Sequence, residues 1–222
     1  MANLIIKPTS GGSLVLQDEG GDAALTVGTT GSTTLSDQVF PAGTVLQVVS
    51  STFDGDFTHQ AGSEFDNGSS TTRGNNTHAS VVTGLNCSVT TKKANSSLFF
   101  MMNLMSIITA DPASGYPFSA NVYWSVDSYA AKVAQGEARG SRRRQSAVVY
   151  PRVSNNSYAS DSMHWSCLKT TSVAKSTTVT FKVCISSLAS QGVFLNYMPD
   201  PDSDNDDFST SVSTTTIFEI AT

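Results

Sequence analysis

The chain has 222 residues, enough for one domain or for one domain with a long arm. Apolar residues make up 39% and charged residues only 14%, and Ser, Thr, Gly and Asn supply the remaining polarity, a composition of strands and turns in which helix formers are sparse. The formal charge of −5 argues against the basic surface that sequence-independent binding of nucleic acid needs.

Residues 1–43 alternate short apolar pieces with turn signals. Leu4, Ile5 and Ile6 precede Pro8-Thr9-Ser10-Gly11-Gly12, and Leu14, Val15 and Leu16 precede Asp18-Glu19-Gly20-Gly21. A third piece, residues 24–27, runs into a Gly/Thr/Ser stretch. Each piece is too short to bury much alone, so the segment reads either as a disordered leader or, as the alternation of apolar pieces with turns favours, as an extended arm whose strands find partners elsewhere, with those six residues as its anchor. The run at Leu4 is too short for a secretory h-region, and no signal peptide is expected.

From residue 44 strands follow steadily. Residues 44–51 (TVLQVVSS) are apolar on both faces, with Leu46 and Val48 expected on one side and Val45 and Val49 on the other. A long polar segment, residues 52–78, reads as a loop or irregular hairpin. Residues 80–90 are a strand candidate. Residues 98–108 (LFFMMNLMSII) are too short to span a bilayer, which takes about 20 residues, and read as a central strand. In that run Phe99, Met101, Met105 and Ile107 are expected on one face and Leu98, Phe100, Met102, Leu104 and Ile108 on the other.

Further strands are expected at 120–126, 147–153, 163–168, 177–185, 193–197 and 214–220, with a short helix an open alternative within 129–139. About eight to ten strands with long loops and no βαβ rhythm predict an all-β fold, a jelly-roll-like β-sandwich head over residues 44–222 carrying the N-terminal arm of residues 1–43. The two runs that are apolar on both faces need a second dry environment besides the sandwich interior. Sister subunits supply one, so the head is expected to be a homotrimer, with Val45, Leu46, Val48, Val49, Phe99 and Met101 in its core and interface strands.

Sites of chemistry are few. Cys87, Cys167 and Cys184 are widely spaced and odd in number, which predicts three reduced thiols and no zinc site. Asp200, Asp202, Asp204 and Asp206 place carboxylates at every second residue, a spacing that fits either a Ca²⁺ loop or a solvated acidic loop. Against calcium, the sixth position of an EF-hand reading from Asp200 is Asn205 rather than Gly, and the twelfth is Ser211 rather than Glu. Arg139, Arg142, Arg143 and Arg144 form the basic cluster, suited to clamping phosphates or acidic sugars, to bridging a neighbouring subunit, or to solvation. Asp54, Asp56, Glu64 and Asp66 lack any feature that sets a glycosidase separation. His59, His78 and His164 have no HExxH or triad context, and Trp124, Trp165 and Tyr123 fall in alternating strands, which favours core packing over sugar stacking.

The frame AGTVLQVVS, then GEARGSRRR, then SCLKTTSVAKSTTVTFKVCI, then VFLNYMPDPDSDNDD, ending in STTTIFEIA, resembles small fibre-like or decoration virion proteins of tailed, especially marine, bacteriophages. The opening MANLIIKPTSGGSLVLQDEGG is similar to the N-terminal arm of phage fibre or particle-decorating proteins. The likeness covers roughly residues 42–222, with a looser match before. Lys169, Thr170 and Thr171 stand where the group more usually has Asp-Ser-Pro, and Cys184 lies in the strand. The resemblance implies a non-enzymatic virion protein, made in the host cytoplasm, whose partners are copies of itself, capsid or tail proteins, and a host surface glycan. Nucleic acid, membrane insertion and a resident cofactor are not expected.

Overall fold

The computed structural model describes residues 12–17, 23–28, 30, 33–35, 40–59, 80–109, 118–137, 145–149, 161–187, 193–196 and 211–222. Its elements are strands and single-turn 3-10 helices, and the strands pair in antiparallel sheets, so the protein is all-β. The chain divides into two compact units, residues 1–44 with 221–222, and residues 45–220.

In the first unit, β1 (Leu14–Gln17), β2 (Ala23–Val27) and β3 (Thr33–Leu35) form a three-stranded sheet in that order. The apolar pieces at residues 14–16 and 24–27 therefore pair with one another, where strands finding partners elsewhere were expected, and the piece at residues 4–6 lies outside the described residues. Leu14 lies opposite Val27 and Leu16 opposite Leu25. Pro41 to Thr44 make a tight turn closed by Thr44 N–H donating to the Pro41 carbonyl at 3.1 Å, and Gly43 takes the positive φ of 88° that this turn demands. Gly43 N–H donates to the Ala221 carbonyl and Ala221 N–H to the Thr44 carbonyl, both at 2.8 Å.

In the second unit the strands are β4 (Val45–Phe53), β5 (Phe57–His59), β6 (Ser80–Val81), β7 (Cys87–Thr90), β8 (Ser97–Thr109), β9 (Phe118–Trp124), β10 (Ala147–Val149), β11 (Asp161–Thr170), β12 (Thr178–Ser187), β13 (Val193–Leu195) and β14 (Ser213–Ile220). One sheet runs β10-β9-β12-β6, with β7 following β6 along the same side of β12 after a 3-10 turn at Thr83–Leu85. The other runs β4-β14-β8-β13-β5, with β11 on the second side of β8. The opening and closing apolar runs of the sequence are thus neighbours, paired from Phe53 opposite Ser213 to Val45 opposite Ile220. No helix forms within 129–137. Lys132 instead bridges to Tyr123 as an extension of the sheet.

The inner faces of the two sheets share one core. Phe100 of β8 stacks on Phe181 of β12 with centroids 4.9 Å apart, and Trp165 and Trp124 lean on the same pair. Such ring pairs contribute beyond their buried area, and they lock the two sheets at this point. Tyr123 is buried on the other face of its sheet, against Cys184.

Two departures from strict alternation have one cause, a bulge. β14 shifts register between Glu219 and Ile220, so Val45 pairs with Ile220 and Gln47 with Glu219, leaving Leu46 as the extra residue. Val45 and Val48 therefore share the outward side, contrary to the expected pairing of Val45 with Val49, while Val49 packs on the core. β8 gains a residue opposite Asp161 and Met163, which turns Ile107 inward to join Leu98, Phe100, Met102 and Leu104.

Candidate functional site

Exposed and half-buried apolar side chains align on the outer face of the β4-β14-β8-β11 strands. Register aligns Val48, Phe218, Phe99 and Leu168 in one row across four strands. On one side of it lies the row Val45, Ile220, Ser97 and Thr170. On the other side follow Ser50, Thr216, Met101 and Ser166, and then Thr52, Thr214, Asn103 and His164. These sixteen positions contain no Asp, Glu, Lys or Arg. Phe99 and Phe218 touch with centroids 6.0 Å apart, and both are only half-buried.

The polar groups of this face bond sideways to one another. Ser50 and Thr216 hydroxyls are 3.0 Å apart, as are those of Ser97 and Thr170. Asn103 Nδ2 donates to Thr214 Oγ1 at 3.3 Å, and its Oδ1 is 2.8 Å from His164 Nδ1. His164 is thus an exposed strand histidine held by an amide.

The inward side of the same strands carries a buried carboxylate. Glu219 accepts the Lys92 amide at 2.8 and 2.9 Å, the Lys93 amide at 3.1 Å, and the Gln47 side-chain amide. Gln47 also donates to the Thr90 carbonyl at 2.6 Å, so this cluster ties the β4 and β14 edge to the end of β7. Its donors are mostly backbone, which marks a structural clamp.

A second polar cluster lies beside β9. The Gln145 side-chain carbonyl accepts from Asn121 Nδ2 and, at 3.3 Å, from Lys132 Nζ, while Asn121 Oδ1 accepts the Ser146 amide at 3.0 Å. The three cysteines are thiols outside any disulfide. Burial pushes the Cys87 thiol above its ordinary value and the Cys167 thiol up to about 11, so both are held as inert neutral thiols. Among the described residues no group of three or more His, Cys, Asp or Glu is placed to hold a metal ion.

Of the residues singled out from sequence, Leu14, Val15 and Leu16 lie in β1, with Val15 and Leu16 exposed. Val45, Val48, Phe99 and Met101 lie on the outer face just described, Leu46 sits at the bulge, and Val49 faces the core. Asp54 and Asp56 occupy the exposed break between β4 and β5. Leu4, Ile5, Ile6, Glu64, Asp66, His78, Arg139, Arg142, Arg143, Arg144, Asp200, Asp202, Asp204 and Asp206 lie outside the described residues. Trp124 is buried and Trp165 half-buried against the core, which leaves no sugar-stacking platform of tryptophans. Sequence reasoning passed over Leu168 and Phe218. The alternation in DSMHWSCLKT and STTTIFEI separates them from Cys167 and Ile217, but only the sheet register shows that they meet Phe99. Compared with known proteins, the chain matches no family model and no curated sequence.

Proposed function

We propose that this chain is a bacteriophage virion protein, a short homotrimeric fibre whose residues 1–43 hold it to the particle and whose jelly-roll-like head contributes to adsorption on the host surface. The observation that carries the reading is the sequence frame, in which a VLQVV-type opening strand and an STTTIFEI-type closing strand bracket the head. These two strands pair along their length beside the central β8, so the motifs of the resemblance are the framework of one sheet. The small sheet of the first unit supports the anchoring role. Leu14 and Leu16 share a face with Val27 and Leu25, and Leu16 is exposed, so apolar surface is available to bury on assembly. Three copies of such an anchor on one trimer would strengthen attachment through effective concentration rather than through any single strong contact.

The test is electron microscopy of intact particles with this protein labelled, together with particles that lack it. Label projecting from the particle surface, with intact but poorly adsorbing particles in its absence, is the expected result. Particles that adsorb normally but whose heads break under heat or osmotic stress would replace the fibre with a capsid cement protein. Absence of the protein from purified particles would overturn the virion reading altogether.

A further inference from the structure

The outer face of the β4-β14-β8-β11 strands is apolar along one row and uncharged throughout, on a chain of net charge −5. Val48 is 52% exposed and Leu168 60% exposed, at the two ends of that row, with the Phe99 and Phe218 rings between them. Isolated exposed apolar residues need no explanation, but four aligned across four strands form a continuous patch. We infer that this face is the surface on which copies of the chain meet, with Val48, Phe218, Phe99 and Leu168 at the centre of the contact.

Three observations choose a second copy over other occupants. The first is charge. A face without charged groups meets its own copy at no like-charge cost, although the molecules as wholes repel. A membrane surface, by contrast, attracts basic residues, and there are none here. The second is the state of the polar groups. Ser50, Thr216, Asn103 and His164 already pair laterally, so covering them leaves few buried donors unsatisfied. The third is size. Four strands spaced about 4.8 Å apart, each with about seven residues rising about 3.4 Å, make about 450 Å² of flat area per copy. A pair of copies buries about twice that, and side-chain corrugation brings it to the roughly 1,000 Å² that a specific interface needs.

The inference shares the self-association of the reading above but not its virion setting, and it is tested on the purified full chain by analytical ultracentrifugation. The double variant Val48→Lys, Leu168→Lys changes two exposed side chains and leaves the core untouched, and circular dichroism melting checks that it folds. A second variant, Val148→Lys, changes a comparably exposed valine of β10 on the other sheet. The expected result is an oligomeric wild type, an oligomeric Val148→Lys, and a double variant whose association is weaker by about 100-fold or more. A trimer supports both this interface and the trimeric head, and a dimer supports the interface while removing the threefold head. A monomeric wild type, or a folded double variant that associates as tightly as the wild type, overturns the interface and leaves the particle experiment to judge the virion reading.

Discussion

A carboxylate taken wholly out of water must replace its hydration with donors, and Glu219 has three, two of them the successive amides of Lys92 and Lys93. Replacing Glu219 with Ala strands those amides in a dry site, and unsatisfied buried donors cost about 1–3 kcal/mol. Glu219→Ala is therefore expected to lower stability by about 3 kcal/mol, seen as a lower urea midpoint with the slope unchanged. An unshifted midpoint would mean that water reaches the amides. The Cys167 thiol supplies a pH-dependent counterpart. With its pKa up at about 11, the folded state keeps a proton that the unfolded chain releases above about pH 9. The folded state then binds more protons than the unfolded one between those values, so this contribution to stability is intact below pH 9 and is lost as pH rises towards 11. The stability difference between wild type and Cys167→Ser is expected to narrow or reverse over that interval and to stay constant below it, and urea titrations at a series of pH values measure it. In the native protein iodoacetamide should alkylate Cys167 at pH 8 about 10-fold more slowly than in the unfolded chain, because the smaller thiolate fraction outweighs the greater nucleophilicity of that thiolate.

Elements are held here by a few buried polar and aromatic fittings. Asn196 ends β13 in the left-handed region, with φ 69°, and is fully buried. Its Nδ2 donates to the Phe53 carbonyl at 2.8 Å and the Gly55 carbonyl at 3.2 Å, its Oδ1 accepts from Ser213 Oγ at 2.6 Å, and its own carbonyl accepts the Ser211 amide at 2.9 Å. β13 and β14 are in effect one antiparallel column beside β8, interrupted after Asn196 and resumed at Ser211, with this residue pinning the interruption to the edge pair β4 and β5. Asn196→Asp keeps the size and the left-handed tolerance but removes the donor, and is expected to cost about 2 kcal/mol in chemical denaturation. At the neighbouring corner, a Cβ on Gly84 would lie 2.2 Å from the Phe53 ring. Gly84→Ala must push that ring off the core, an overpacking cost of about 1–3 kcal/mol that Phe53→Leu in the same chain should partly relieve. Neither fitting was legible in the sequence. Asn196 lies in a VFLNY run that reads simply as strand, and Gly84 in SVVTGLNCSVT reads as a strand glycine, because each is fixed by Phe53, which comes from a distant stretch of the chain. The strands themselves were legible, since alternation in 120–126 and 177–185 and β-branched content elsewhere need no partner to be seen.

At the scale of the whole molecule, the same distinction separates what alternation shows from what it hides. Alternation places Phe99 with Met101 and Phe218 with Ile220, but it does not tell inner face from outer, and a single bulge at Leu46 reverses the expected grouping of Val45. Strands apolar on both faces were readable in the sequence, yet the outward apolar row joins residues 48, 99, 168 and 218, which only the register assembles. The division into two units has a consequence for function that does not depend on that row. Among the side chains described, the buried core lies between Val82 and Ala221, with none before Pro41. A chain that begins at Pro41 keeps the turn closed by Thr44 N–H and the paired bonds between residues 43–44 and Ala221. It is expected to melt within a few degrees of the full chain, since about 1 kcal/mol moves a domain of this size by only about 2–4 °C. Its self-association should be unchanged, because the uncharged face lies wholly in residues 45–220. If the first unit is the anchor, the same truncated chain should fail to enter particles when supplied in place of the full one, while folding and associating normally. A truncated chain that melts about 10 °C lower would make residues 1–40 part of the head, and one that enters particles normally would move the attachment surface into residues 45–220.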